Sequence, residues 1–331
     1  MSAGAAAGRA DVYRRIADAI AGAVESGAAR AEDWRMPWHR RGGGEDGAPV
    51  ALPRNAATGA AYRGVNVLAL WAEAESRGYP GGRWATYRQW AARGAQVRRG
   101  EKAATVVFWR FQDAGAAGEG DGGASGDDEA AGGEEGWGRR GPWARAYHVF
   151  NAAQVDGGGR AAAGDAPPLL PESERVASAE AFFAALPGLD VRHGGERAYY
   201  APATDHVGMP PFAAFRDAPC YYATLAHEAA HWTGHPSRLA RDLSGRFGSE
   251  AYAAEELVAE LGAAFAMAAL GLATEPRPDH ARYVACWLRL LRDDPRAVFT
   301  AASHAQRAAD WMTAAASAEA PSTTPGRGAP T

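Results

Sequence analysis

Residues 227–231 read His-Glu-Ala-Ala-His, inside the stretch TLAHEAAHWTGH that runs from Thr224 to His235. Histidines four residues apart project from one face of a helix, so His227 and His231 can reach a single metal ion. Glu228, beside the first of them, can take a proton from a water activated there. These five positions demand a helix, a further ligand from elsewhere in the chain, and a scaffold that holds all of them within bonding reach of one ion. The plain alternative is an Ala-rich core helix that carries histidines, because a pattern with three fixed positions also arises by chance.

A third ligand decides between the two. His235 lies eight residues from His227, about 12 Å along a helix that rises ~1.5 Å per residue, whereas metal–nitrogen bonds are about 2 Å long. One ion cannot hold both while the helix continues, and Gly234 with Pro236 should end it there. The metzincin extension H-E-x-x-H-x-x-G-x-x-H is half present, with Ser237 in place of its last histidine. A better source is Tyr252–Gly271, which sets Glu255, Glu256 and Glu260 in a strongly apolar helical run. Glu256 and Glu260 share a face at i, i+4, and carboxylates there are costly to bury unless paired or metal-bound. The bland reading is an acidic helix start, favourable to the helix dipole. This E-x-x-x-E resembles the glutamate helix of gluzincin peptidases, in which the first acid binds zinc and the second orients a ligand histidine. The resemblance implies Glu256 as ligand and Glu260 behind it, with the reverse assignment open. Two histidines and a carboxylate suit zinc, and also manganese or cobalt.

The chain has 331 residues, enough for two domains. No apolar run approaches the roughly 20 residues of a membrane span, and the N-terminus lacks a secretory pattern. Cys220 and Cys286 are too few for a disulfide framework or a cysteine zinc site, so the expected compartment is the cytoplasm. Charge is uneven: residues 1–112 hold 17 Arg and Lys against 10 Asp and Glu, a balance of +7. The stretch from Asp113 to Gly138 then holds eight acids and no base. It is Gly- and Ala-rich, cannot bury enough apolar surface to order itself, and is expected to be a disordered insertion over about 113–141. Strand patterns flank it, Thr105–Phe111 before and WARAYHVFNAAQV after. Helices are expected over Val12–Val24, Val65–Arg77 and Ala177–Leu186. The reading is an α+β protein: a small mixed α/β domain over 1–155, a linker over 156–171, a mostly helical metal-site domain over 172–315, and a disordered tail over 316–331.

Six of the eleven tryptophans fall in the first 112 residues. Rings that stack on bases, beside cations that meet phosphates, suit single-stranded nucleic acid, although any single ring is more simply a core residue. The candidate contacts are Arg63, Arg83, Arg98, Arg99, Lys102, Trp34, Trp38 and Tyr87, with VRRGEK as the leading phosphate site.

Two sets of motifs together resemble one family. The first comprises WRMPW, N-x-x-T-G-x-x-Y-R-G-V-N-V-L from Asn55, RWATYRQW from Arg83, and G-x-x-V-R-R-G-E-K from Gly94. The second comprises MPPFAAF from Met209, the histidine stretch, and YAAEELVAELGAAF from Tyr252. In this order they look like antirestriction proteins of the ArdC type, which join a single-stranded-DNA-binding domain to a zincin-like metallopeptidase domain. The resemblance implies single-stranded DNA as partner, a divalent metal in the second domain, and protection of incoming plasmid or phage DNA from host restriction. A component of the restriction system would then be a protein substrate, Glu228 the general base, and Tyr252 or His280 an oxyanion donor. The alternative is a non-enzymatic single-stranded-DNA-binding protein whose metal site is structural or vestigial. A nuclease is disfavoured, since no two-metal carboxylate cluster is evident.

Overall fold

The computed structural model describes residues 3–28, 51–110, 143–157, 172–245, 249–272 and 281–319. The chain divides into two compact units. One comprises residues 1–38, 51–168 and 288–299, and the other residues 39–50, 169–287 and 300–331. The segment 288–299 groups with the first unit, where the Phe299 ring meets Tyr13 edge-on at 4.5 Å.

The first unit opens with helix α1 (Ala3–Ala28), whose Ile16, Ile20 and Val24 recur every fourth residue and are fully buried. Strand β1 (Arg54–Asn55) precedes helix α2 (Val65–Arg77), which Gly78 stops in the left-handed conformation at φ 64°. Strand β2 (Arg83–Ala85) leads to helix α3 (Tyr87–Ala92), whose Thr86 and Gln89 cap each other's backbone. Then come β3 (Gln96–Val97), β4 (Ala104–Arg110), β5 (Trp143–Asn151) and β6 (Val155–Asp156). The main sheet has the order β1-β2-β5-β4, with β1 and β2 parallel and the other pairs antiparallel. The strands flanking the acidic tract are thus paired, in register from Ala104↔Val149 to Arg110↔Trp143; the tract itself lies outside the described residues. Strand β4 is an edge, and Asn66 of α2 covers part of it: its side-chain amide donates to Val107 O (2.8 Å) and its oxygen accepts from Val107 N (2.7 Å).

The second unit contains helix α4 (Glu172–Ala184) and a sheet of β7 (Asp190–His193), β9 (His206–Met209) and β8 (Tyr199–Ala201), in that order. Helices α5 (Ala218–Trp232) and α6 (Glu250–Ala269) follow, and then α7 (Ala281–Asp293) and α8 (Ala297–Glu319), which belong to this unit except over residues 288–299. Asp217 starts α5 by accepting from Cys220 N at 2.8 Å, with Pro219 in the first turn, where its missing N–H costs nothing. The helix stops at Trp232, before Gly234. Ser249 caps α6. The two helices cross closely: a Cβ built on Gly262 would lie 3.1 Å from the Ala230 Cβ, so glycine sets their separation. One expectation is corrected at the C-terminus. Residues 316–319, assigned to a disordered tail, continue α8, because they are helix-forming and Ala316 packs against the core; residues 320–331 lie outside the described residues.

Candidate metal centre

Helix α5 carries His227 and His231 one turn apart, their rings 4.8 Å between centroids and nearly perpendicular. Helix α6 brings a single carboxylate between them. Glu256 Oε2 lies 3.6 Å from His227 Nε2, and Glu256 Oε1 lies 3.5 Å from His231 Nε2. Donors bound at about 2.0–2.1 Å to a tetrahedral ion sit roughly 3.3 Å apart. The three ligand atoms lie within 4.8 Å of one another, so the donor set fits a divalent cation. Among the described residues this is the one cluster with that capacity.

The opposite ring nitrogens face further carboxylates of the same helix. His227 Nδ1 lies 3.5 Å from Glu260 Oε2, and His231 Nδ1 lies 3.2 Å from Glu255 Oε1. At His231 the Glu255 carboxylate holds the proton on Nδ1 and turns Nε2 toward Glu256. Glu255 is itself gripped by Arg241, whose Nη2 and Nε approach its two oxygens at 2.8 and 3.1 Å. The same guanidinium donates to Thr233 Oγ1 and to Ala230 O, tying the chain after α5 back onto the end of that helix. Burial alone would drive His231 toward the neutral form, but Glu255 and Glu256 outweigh it and raise its pKa to about 10. Burial likewise pushes the Glu256 carboxyl up, and the two imidazoles reverse this, holding it far below the usual range. The cluster therefore favours positive charge between the helices, as protons or as a metal ion.

Glu228 sits on α5 beside His227, 4% exposed. His235 is outside the cluster, in the turn after the helix, its Nδ1 2.7 Å from Ser237 Oγ. Tyr252 is half-buried in the first turn of α6, and His280 lies outside the described residues. The sequence reading named Glu255 without giving it a role and missed Arg241. An acid adjoining Glu256 in an apolar helix was a usable signal for the first; nothing in a polar connecting loop singles out the second.

In the first unit, Trp84, Trp90 and Tyr62 are core residues, not platforms for bases. Arg63, Arg98, Arg99 and Lys102 are exposed and Arg83 is half-buried, while Tyr87 is exposed and its hydroxyl accepts from Gln96 Nε2. Arg98 is engaged by Glu101 at 2.9 Å and by Asp156 at 3.6 Å. Trp34 and Trp38 lie outside the described residues.

Comparison with known proteins matches both units. A family model described as the N-terminal domain of anti-restriction factor ArdC covers residues 10–150, and a zincin-like metallopeptidase model covers residues 177–304. The uncharacterized protein y4eC of Sinorhizobium fredii is 52% identical over 302 residues, spanning 91% of each chain. DNA primase TraC of Escherichia coli is 37% identical over 308 residues, which are 91% of this chain but only 27% of the primase. The metal-free crystal structure of the antirestriction ArdC protein from plasmid R388 superposes with a TM-score of 0.69 at 37% identity, covering 93% of this chain and 98% of that one. Its Mn(II)-bound structure gives 0.69 at 38% identity, with 92% and 97% covered.

Proposed function

The chain belongs to the ArdC antirestriction family, and on that premise we propose that it binds single-stranded DNA and carries a metal-dependent peptidase centre, protecting incoming mobile-element DNA from host restriction. The observation that carries the peptidase reading is the convergence of His227 Nε2 and His231 Nε2 on separate oxygens of Glu256. His227, His231 and Glu256 hold the ion, zinc by donor set, with manganese or cobalt as alternatives. Bound there, a divalent ion supplies Lewis acidity toward a peptide carbonyl and its attacking water. Glu228 accepts the proton of that water and returns it to the leaving amine. Glu255 holds the His231 ring through its Nδ1, and Glu260 stands beside Nδ1 of His227. Arg63, Arg83, Arg98, Arg99, Lys102 and Tyr87 offer charge and a ring to DNA, within a first unit whose strand β6 includes Asp156; Trp34 and Trp38 would add further rings. The site of action is the cytoplasm, where incoming DNA meets restriction enzymes, and no described helix is long and apolar enough to cross a membrane.

Metal analysis of purified variants tests the ligand set. Glu256→Ala should lose the ion, while Glu260→Ala keeps it with about 10- to 100-fold weaker affinity. The opposite pattern would exchange their roles. Glu228→Gln should keep the ion and abolish hydrolysis of a restriction-system protein. Antirestriction that survives Glu228→Gln unaltered would make the protein a DNA-coating factor with a structural metal site.

A further inference from the structure

The aromatic residues of the first unit separate sharply by exposure. Trp71, Trp84 and Trp90 are buried to within 1%. Among its described residues, Tyr87 and Phe108 are the large hydrophobic side chains left exposed. The Tyr87 hydroxyl is bonded to Gln96, whereas Phe108, at 38% exposure, has no polar group to account for its place at the surface.

Phe108 stands on β4 directly opposite Arg145 of β5, and Val106, two residues back, stands opposite Tyr147. Side chains alternate along a strand, so Ala104, Val106 and Phe108 share a sheet face with Val149, Tyr147 and Arg145. The inner end of that face, Ala104, Val106 and Val149, is buried; the outer end opens to solvent. There the Phe108 and Tyr147 rings meet edge-to-face at 5.4 Å and 84°, and the Arg145 guanidinium lies over Tyr147, 5.2 Å from its centroid. Tyr62 backs Phe108 at 6.5 Å, and the exposed Arg63 follows it in the chain. The opposite sheet face is turned toward α1, where Arg15 donates to Thr105 Oγ1.

The geometry points to this outer sheet face as the seat of single-stranded DNA, with a base stacked on the Phe108 ring and a backbone phosphate held by Arg145. The inference rests on the single-stranded-DNA reading above and locates it. A ring fixed by a second ring is an ordered platform for a base, whose π-face any sequence provides. A cation two strand positions from that ring's partner suits the phosphate of the same nucleotide. VRRGEK is the weaker candidate, because Arg98 is already committed to Glu101 and Asp156.

The test is fluorescence anisotropy of a labelled oligothymidylate and of the matching duplex across a salt series, with the full chain. Phe108→Leu keeps apolar bulk without a ring and should weaken single-strand binding about five- to 150-fold with an unchanged salt slope. Phe108→Trp should restore binding. Arg145→Gln should flatten the slope of log K against log salt by about 0.7, one phosphate contact, whereas Arg192→Gln in the second unit should not. Wild-type binding that both Phe108→Leu and Arg145→Gln leave intact overturns this surface and spares the single-strand reading. Wild type that ignores single strands, or prefers duplex, overturns both. Circular dichroism of each variant assigns any loss to the surface and not to unfolding.

Discussion

Arg241→Met probes whether the metal centre is built on a buried ionic relay. The Arg241 side chain is 4% exposed and that of Glu255 13%, so the pair is largely removed from water. Deleting the guanidinium leaves the buried Glu255 carboxylate beside His231 Nδ1 without its arginine, and strips a donor from Thr233 Oγ1 and from Ala230 O. Breaking such a pair from one side costs about 3–5 kcal/mol. For a unit of this size each kcal/mol moves the melting midpoint by about 2–4 °C, so the transition should fall by roughly 6–20 °C. The measurement is thermal denaturation followed by circular dichroism on chelator-treated protein, so that bound metal does not mask the change. Arg241→Met combined with Glu255→Met removes both charges and should stand closer to wild type than Arg241→Met alone, because the desolvated charge is gone. The same double variant should bind metal about 10- to 100-fold more weakly, since nothing then orients His231. A loss below about 1 kcal/mol in Arg241→Met, or a double variant that loses the sum of the two single ones, would refute the relay.

Two further outcomes follow from particular contacts. Gly262→Val should cost about 1–3 kcal/mol by overpacking against Ala230 and should weaken metal binding. Gly262→Ala should be nearly neutral, its few tenths of an ångström of crowding offset by better helix propensity; melting and a metal-competition titration distinguish the two. Asp205 is bound by Arg238 and by the Tyr200 hydroxyl; burial raises its pKa, and these partners outweigh burial and lower it below the usual value. A lowered folded pKa means that its stabilisation is complete above the unfolded value, about 3.9, and fades as pH falls through the folded one. The gap in melting midpoint between wild type and Asp205→Asn should therefore be widest above about pH 5 and close toward pH 2. Asparagine tolerates the left-handed φ of 48° at this position, which isolates the charge.

Local periodicity was enough for much of this protein. The four-residue spacing of Ile16, Ile20 and Val24 marked a helix with one buried face, and Val65–Arg77 was readable because Gly78 stops it. The β-branched run before the acidic tract and the aromatic run after it marked β4 and β5 as a pair. His227, Glu228 and His231 were legible as a unit, because residues one turn apart share a helix face whatever surrounds them.

Sequence alone could not choose between Glu256 and Glu260, since both lie on the same apolar face. Which carboxylate meets the Nε2 atoms and which meets Nδ1 depends on how α6 crosses α5, set by the close approach of Gly262 to Ala230. Arg241 was invisible for a related reason: a loop arginine 14 positions from Glu255 becomes its partner only when the chain folds back onto the end of α5. The tryptophans show the same limit. Composition counts rings but cannot say which face water, and packing buried Trp71, Trp84 and Trp90 while leaving Phe108 at the open end of the sheet. What the sequence determined was what travels within a few residues along the chain: helix faces, strand alternation, caps and the metal motif. Tertiary structure decided which atom of each polar group faces which partner and which ring stays in solvent, because those depend on crossing angles and packing between distant segments.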